Sequence, residues 1–432
     1  MDCELLESLA QDVGTPFWVY EASVLQRQIS AVKELTAAEG IQARYAIKAC
    51  SATRILQEMI GHGLWVDAVS GNEILRALRV GYPGGQHPPK VLFTCDVFRL
   101  NSLQVLLEHD ILPNLGSPGM LSELDAAGYR GPVSIRVNPG FGHGHVDACD
   151  TAGPSSKHGI WFEDLSELKR RADSLGIEIT MLHAHIGSGP KNEELLGNFR
   201  LLVEEFSKLL PIFPQVSTVN LGGGLPYNYR KRDRQLEVAP LKTLLEMARQ
   251  QFCEVAGREI RLEIEPGRYL VAPVGTLVAR VKEIKQTRTN GKGKGVHFAM
   301  VDAGFNDLIR PLLYGAYHAI EICGRASDEP NSDIAVAGPL CESGDIFTQS
   351  LGEIIELRKM PLPKAGELLL IRDAGAYGYV MNMNYNSLGR APQLFLEDDG
   401  SVEMFSRRET IEDILQIETR ETLRTPKING HF

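Results

Sequence analysis

The sequence predicts an α/β fold: a (β/α)₈ TIM barrel joined to a second, mostly antiparallel β domain. Three observations carry this expectation. Short β-branched runs alternate with helix-like stretches from about residue 40 to about residue 270, the alternation repeats eight times, and it stops after Gly267. Strands alternating with helices imply a parallel sheet, and eight such units suggest a closed barrel. The 432 residues are more than one core of ordinary size requires. The expected division is a barrel over residues 30–270 and a C-terminal β domain over 271–432, joined by residues 1–29.

In order, the eight runs are Arg44–Ala49, Leu64–Val69, Lys90–Thr94, Leu112–Gly116, Val133–Asn138, Ile179–Gly187, Thr218–Gly224 and Ile260–Gly267. The stretches between them, such as Arg54–Gly63 and Asn72–Gly81, carry apolar residues at helical spacing and end in glycine, a helix C-terminal signal. Beyond Gly267 the strand-like runs are Thr276–Lys285, Val296–Val301, Ile334–Ala337, Glu367–Ile371 and Gln393–Leu396, with turn clusters at Asn290-Gly291 and Asp398-Asp399-Gly400. Phe17-Trp18-Val19-Tyr20, ahead of the barrel, is expected to add a strand to this second domain.

Composition narrows the function classes. With 43% hydrophobic and 23% charged residues the chain reads as globular rather than disordered or fibrous. No apolar run approaches the roughly 18 residues of a membrane span, and Met1-Asp2-Cys3-Glu4 does not open a signal peptide, so a cytoplasmic protein is expected. Forty-five Lys+Arg against 55 Asp+Glu give a net charge of −10, which argues against a nucleic-acid surface. The cysteines at 3, 50, 95, 149, 253, 323 and 341 are odd in number, scattered and without a CxxC pair. Neither a disulfide framework nor a zinc ribbon is expected.

A barrel places its active site at the C-terminal ends of its strands, and these ends are chemically unusual here. The first run reaches Lys48, with Arg44 and Ala46 on the same face. In the fifth, Ser134, Arg136 and Asn138 share one face; in the sixth, His183 and His185 do. A His-x-His pair can be half of a metal site, but no third ligand stands out by spacing, and a histidine against a flat cofactor fits better. The seventh run ends in Gly222-Gly223-Gly224, where bare backbone N–H groups can approach an anion or simply make a tight turn. The eighth ends Glu263-Ile264-Glu265-Pro266-Gly267-Arg268, with both glutamates on one face. A surface ion pair is the plainer account of Glu265 and Arg268. Pyridoxal 5'-phosphate explains the set together: an amine for its Schiff base, an anion site for its phosphate, a planar neighbour, and a carboxylate that keeps its ring nitrogen protonated.

These residues resemble a known family. Tyr45-Ala46-Ile47-Lys48-Ala49, His183-Ala184-His185-Ile186-Gly187-Ser188, the triple glycine and Glu265-Pro266-Gly267-Arg268 are similar to the alanine-racemase-fold, fold type III decarboxylases. Arg136-Val137-Asn138-Pro139-Gly140-Phe141-Gly142-His143-Gly144-His145, Ser156-Lys157-His158-Gly159-Ile160-Trp161, Val301-Asp302-Ala303-Gly304-Phe305-Asn306-Asp307 and Gly338-Pro339-Leu340-Cys341-Glu342-Ser343-Gly344-Asp345 look like one bacterial subgroup of diaminopimelate decarboxylases. The resemblance runs from about Thr15 to about Leu415 in unchanged order.

The resemblance implies that Lys48 attaches the coenzyme, His185 stacks on its ring and Glu265 meets its ring nitrogen. It further implies that Ser188, the backbone at Gly223, Gly224 and Gly267, Arg268 and the Tyr377 hydroxyl hold the phosphate. Arg268, Arg310 and Tyr314 would bind the distal carboxylate of the substrate, with Tyr377 nearby, and Glu342 its distal ammonium. Cys341, or a water it positions, would protonate Cα, arriving from the other subunit of a homodimer. The implied reaction is decarboxylation of meso-2,6-diaminopimelate to L-lysine and CO2. An alternative is decarboxylation of a related diamino or conjugated amino acid in secondary or siderophore metabolism. It is suggested by Tyr379-Val380-Met381-Asn382-Met383, where the family pattern has small residues, and by the displaced Arg390. Glu265 speaks against a racemase, which generally carries arginine there. Intact Lys48, Glu265 and Cys341 speak against a non-catalytic homologue.

Overall fold

The computed structural model describes residues 1–142, 152–187, 192–232, 235–291, 293–325 and 327–419. After β1 (Phe17–Glu21) come β2 (Ile41–Ala46), β3 (Trp65–Ala68), β4 (Val91–Cys95), β5 (Leu112–Leu115) and β6 (Val133–Asn138). The short β7 (Ile160–Trp161) lies beside β6, and β8 (Ile179–His183), β9 (Thr218–Asn220) and β10 (Arg261–Ile264) complete the set. The parallel order β5-β4-β3-β2-β10-β9-β8-β6, with β6 pairing back to β5, closes an eight-stranded barrel. Each expected run overlaps one of its strands, with β2 starting ahead of its run at Ile41 and β4 ending past its run at Cys95. The first, sixth, seventh and eighth runs outlast their strands, however: Ile47–Ala49 form a 3₁₀ turn, and the strands of the other three end at His183, Asn220 and Ile264. Pro266 supplies the reason beside β2, since it offers a carbonyl to the Ala46 N–H (3.2 Å) but has no N–H to return.

Helix boundaries follow local chemistry. Ser70 accepts the Glu73 N–H (3.1 Å) while the Glu73 carboxylate accepts the Val69 N–H (2.8 Å), opening the helix Gly71–Arg79. Past two helix ends the chain turns at Gly63 and Gly81, with φ of +80° and +103° that favour glycine.

Strand alternation sorts the barrel residues. Val91 and Phe93 face the helices, whereas Leu92 and Thr94 point inward. Inside, Leu92, Leu112 and Met181 form a separate apolar cluster. One step higher the interior is polar: Ser134 donates to Asn114 Oδ1 (2.9 Å), Asn114 Nδ2 donates to Thr94 (3.0 Å), and Thr94 donates to Asp67 (2.5 Å). Arg44 and Glu263, both fully buried, pair through two hydrogen bonds of 2.6 and 2.9 Å. Below the apolar cluster, at the N-terminal end of the strands, a concavity of about 970 Å³ opens among Trp65, Tyr129, Arg249 and Arg261. It contains none of the residues expected at the mouth.

The second sheet is built on the long β11 (Gly275–Gln286), which pairs with β1 and β12 (His297–Val301). Beyond these come β13 (Ile320–Ile322), β14 (Ser332–Ala337), β15 (Gln349–Ser350), β16 (Ile354–Ile355), β17 (Arg358–Met360), β18 (Leu368–Ile371), β19 (Gln393–Leu396) and β20 (Val402–Ser406). Its order is β17-β14-β12-β11-β1-β19-β20, with β18 pairing β11 and β13 off this path, while β15 and β16 form a separate two-stranded sheet; the β1–β19 and β12–β14 pairs are parallel and the other pairs antiparallel. β1 therefore joins the sheet, as expected, and the helix Ala22–Leu35 that follows it packs on the barrel helix Val238–Ala256. One expectation is corrected. Cys3 and Cys323 are disulfide-bonded, with Cα atoms 5.7 Å apart and 320 residues between them. Spacing gave no signal because the fold alone brings the N-terminal helix against the turn after β13. Among the described residues no helix is long and apolar enough to cross a membrane.

Candidate active site

Lys48 sits in the 3₁₀ turn just past β2. Its ammonium makes no hydrogen bond or ion pair among the described residues, and its charge acts on Asp67, Glu73, His185 and Glu265. The Tyr377 N–H donates to the Ala49 carbonyl (2.8 Å), so the second domain is pinned to the turn that carries the amine. Tyr377 holds φ at +57°, and its ring lies 5.0 Å from the Arg268 guanidinium.

His185 is buried, and its Nδ1 accepts the Gly223 N–H at 3.1 Å. The ring proton therefore belongs on Nε2. Burial, then the charges of Lys48 and Arg136, push its pKa well below the ordinary 6.5, so the imidazole is neutral. The Gly223 N–H, expected to face a phosphate, is thus committed to the ring.

Glu265 is held on both oxygens. His183 Nε2 donates to Oε2 (3.1 Å) and Asn220 Nδ2 to Oε1 (2.8 Å). Burial would raise its pKa, but His183 and Lys48 outweigh burial and hold the carboxyl below its ordinary range. The Glu265 N–H donates to the Gly222 carbonyl (2.7 Å), and the Gly222 N–H to Asn220 Oδ1 (2.8 Å), so carboxylate and glycine turn share one network.

A side chain on the glycine turn would destroy this fit. A Cβ on Gly223 would lie 2.3 Å from the Glu265 carbonyl, and one on Gly222, where φ is +70°, would lie 2.3 Å from the Ala184 carbonyl. Bare backbone at the turn, an amine without an ion-pair partner among the described residues, a neutral imidazole and an ionised buried carboxylate fit pyridoxal 5'-phosphate.

Toward the second domain, Arg268 and Arg310, both buried, donate to one phenol oxygen, that of Tyr229, at 3.2 and 3.3 Å. Burial would raise the Tyr229 pKa, yet the charges of Arg310 and Arg268 bring it below its ordinary value. His318 donates from Nδ1 to the Arg372 carbonyl (3.0 Å) and accepts from Arg310 at Nε2 (3.1 Å). Arg310 opens the helix Arg310–Tyr314, whose spacing sets Tyr314 on its face.

Other expected residues lie apart or outside view. Cys341 and Glu342 are exposed; the Cys341 N–H donates to Asn386 (3.4 Å), and Glu342 accepts the Ser343 N–H (2.9 Å). Neither of these contacts reaches the barrel mouth. Ser188 lies outside the described residues. Gly267 packs on the Lys48 turn, where a Cβ would come 3.1 Å from Ala46 Cβ. In the divergent segment, Tyr379 packs edge-on against Trp18 (6.2 Å) and so spends its bulk in the core between the domains. Sequence reasoning missed Asp67, Asn220, Tyr229 and His318. Asp67 and Asn220 could have been found as polar residues in alternation at strand ends; Tyr229 and His318 lie in segments without periodic signal.

A closed barrel with these groups at its mouth defines a coenzyme-binding site of the pyridoxal-dependent decarboxylase class. Residues 21–272 match the family model described as "Pyridoxal-dependent decarboxylase, pyridoxal binding domain". The chain is 40% identical over 425 residues to a diaminopimelate decarboxylase of Escherichia coli K12, covering 97% of each. It is 38% identical over 421 residues to one of Streptomyces coelicolor, covering 96% of this chain and 92% of that one. A crystal structure of a diaminopimelate decarboxylase superposes with a TM-score of 0.87 at 39% identity over 96% of both chains. That of the Helicobacter pylori enzyme complexed with L-lysine gives 0.81 at 27% identity, over 95% of this chain and 98% of that one. The chain belongs to the diaminopimelate decarboxylase family.

Proposed function

We infer that this chain decarboxylates meso-2,6-diaminopimelate to L-lysine and CO2 with pyridoxal 5'-phosphate as its coenzyme. The observation that carries the substrate is the convergence of Arg268 and Arg310 on the Tyr229 oxygen. Two buried guanidiniums meet there on one phenol, and a pair of guanidiniums side by side suits a distal carboxylate. When bound, the coenzyme supplies the electron sink for the carbanion left as CO2 departs.

The chain's own groups divide the remaining work. Lys48 provides the amine that anchors the coenzyme. His185, neutral and fixed by Gly223, offers a flat uncharged face. Glu265 keeps a negative charge at the ring nitrogen. Arg268, Gly224, Gly267 and Tyr377 line the phosphate end, together with Ser188; Arg268 is also shared with Arg310 and Tyr314 at the substrate's distal end. Cys341, directly or through a water, delivers the proton to Cα, and Glu342 receives the distal ammonium.

The exposure of Cys341 and Glu342 in the single chain supports a homodimer in which a second copy completes each site. The same reading takes residues 30–270 as the coenzyme domain, 271–432 with 1–29 as the domain that presents the substrate pocket, and the cytoplasm as its location. The test is a panel of diaminopimelate, ornithine, lysine and conjugated amino acids given to coenzyme-loaded protein with product identification. Lysine and CO2 from diaminopimelate are expected; a faster reaction with a conjugated amino acid would overturn the substrate.

A further inference from the structure

We propose that His183 is a positioning residue, which fixes the Glu265 carboxylate at the angle that the coenzyme ring nitrogen requires. The inference rests on the coenzyme reading above and adds a role for the lower histidine of the His-x-His pair.

Strand register creates the contact. His183 ends β8 directly opposite Asn220 of β9, and Asn220 lies opposite Glu263 of β10. These three inward residues form one row across three neighbouring strands, and Glu265 is the next inward step along its own strand. From that row, His183 and Asn220 reach up to the two carboxylate oxygens, one each. Glu263 is held mainly by Arg44 through two hydrogen bonds, and the Asn220 amide that reaches Glu265 at 2.8 Å contacts Glu263 Oε2 only at 3.4 Å.

The hydrogen-bond geometry assigns the tautomer of His183. A carboxylate only accepts, so Nε2, 3.1 Å from Oε2, carries the proton. Nδ1 is buried and has no hydrogen-bond partner among the described residues. A bare nitrogen there is tolerable, whereas an N–H would be a donor with no acceptor. The ring therefore has one outlet, aimed at Glu265. His183 and His185 share a face but act at different heights, the first on the carboxylate and the second at the mouth.

The side-chain amides separate this role from packing. Glutamine places its nitrogen near the position of His Nε2, and asparagine near that of Nδ1. In the full-length protein, H183N is expected to weaken coenzyme binding, read by absorbance titration, and to lower kcat, each about 10- to 100-fold, as for a lost hydrogen bond to a charged group. KM is expected to stay within about threefold, and H183Q to recover most of both losses. Equal behaviour of the two variants, both unimpaired or both impaired, would overturn the proposal. If H183N does not fold, ¹⁵N NMR of wild-type histidines decides: a proton on Nε2 that is redistributed in E265Q supports it, and a proton on Nδ1 overturns it. Coenzyme affinity is read without substrate. A wild-type chain that binds the coenzyme but leaves diaminopimelate intact therefore sinks the functional reading alone.

Discussion

Gly223 donates its backbone N–H to Nδ1 of His185 at 3.1 Å, so a residue with no side chain decides which ring nitrogen carries the proton. G223A tests this relationship. Its Cβ would press on the Glu265 carbonyl, and overpacking costs about 1–3 kcal/mol. Coenzyme affinity is expected to drop by about 10- to 100-fold. Equilibrium dialysis with the free coenzyme measures it, and circular dichroism checks that the fold persists.

Arg310 is the second test. R310A removes one of the two guanidiniums at Tyr229 and leaves the substrate's distal carboxylate short of a partner, a loss of about 2–5 kcal/mol. Steady-state kinetics should show it mainly as a raised KM for diaminopimelate. R310K recovers only part: Arg310 reaches Tyr229 and His318 from one nitrogen, Nη1, and an ammonium lacks the further planar donors that a guanidinium offers a carboxylate.

Arg44 and Glu263 make a prediction about stability rather than catalysis. R44M leaves Glu263 charged and buried without its cation, which is expected to cost about 3–5 kcal/mol. Urea denaturation of R44M and of the R44M/E263M double variant measures this, and the double variant should regain most of the loss. If R44M alone melts with wild-type parameters, the pair contributes nothing.

The pH dependence of His318 has a definite sign. Burial first, then the charge of Arg310, bring its pKa down to about 3 from the ordinary 6.5. The unfolded chain therefore binds a proton that the folded chain refuses between those values. This contribution to stability is complete above about pH 6.5 and is lost as pH falls toward 3, by about 1.4 kcal/mol per unit. The difference in unfolding free energy between wild type and H318Q, followed from pH 7 to 4.5, should shrink along that slope.

The barrel was legible because its period is coarse: eight strand–helix units survive errors of a few residues at each boundary. Lys48, His185, Glu265 and the glycine turn were legible because each sits at a strand end, where a polar residue has no packing reason to be. Asn220 was hidden by its neighbours, since a glycine run draws attention from the residue before it. Tyr229 and His318 meet Arg310 across 81 and 8 residues through loops, and no spacing rule describes such contacts. Cys3 and Cys323 were hidden for the same reason at greater range.

The three apolar side chains under the polar row, Leu92, Leu112 and Met181, give the barrel a floor. That floor separates the polar row from the concavity at the opposite end of the strands, so the coenzyme groups face the mouth that Tyr377 and Arg268 overlook. A partner that covers that mouth would shield these groups from bulk solvent.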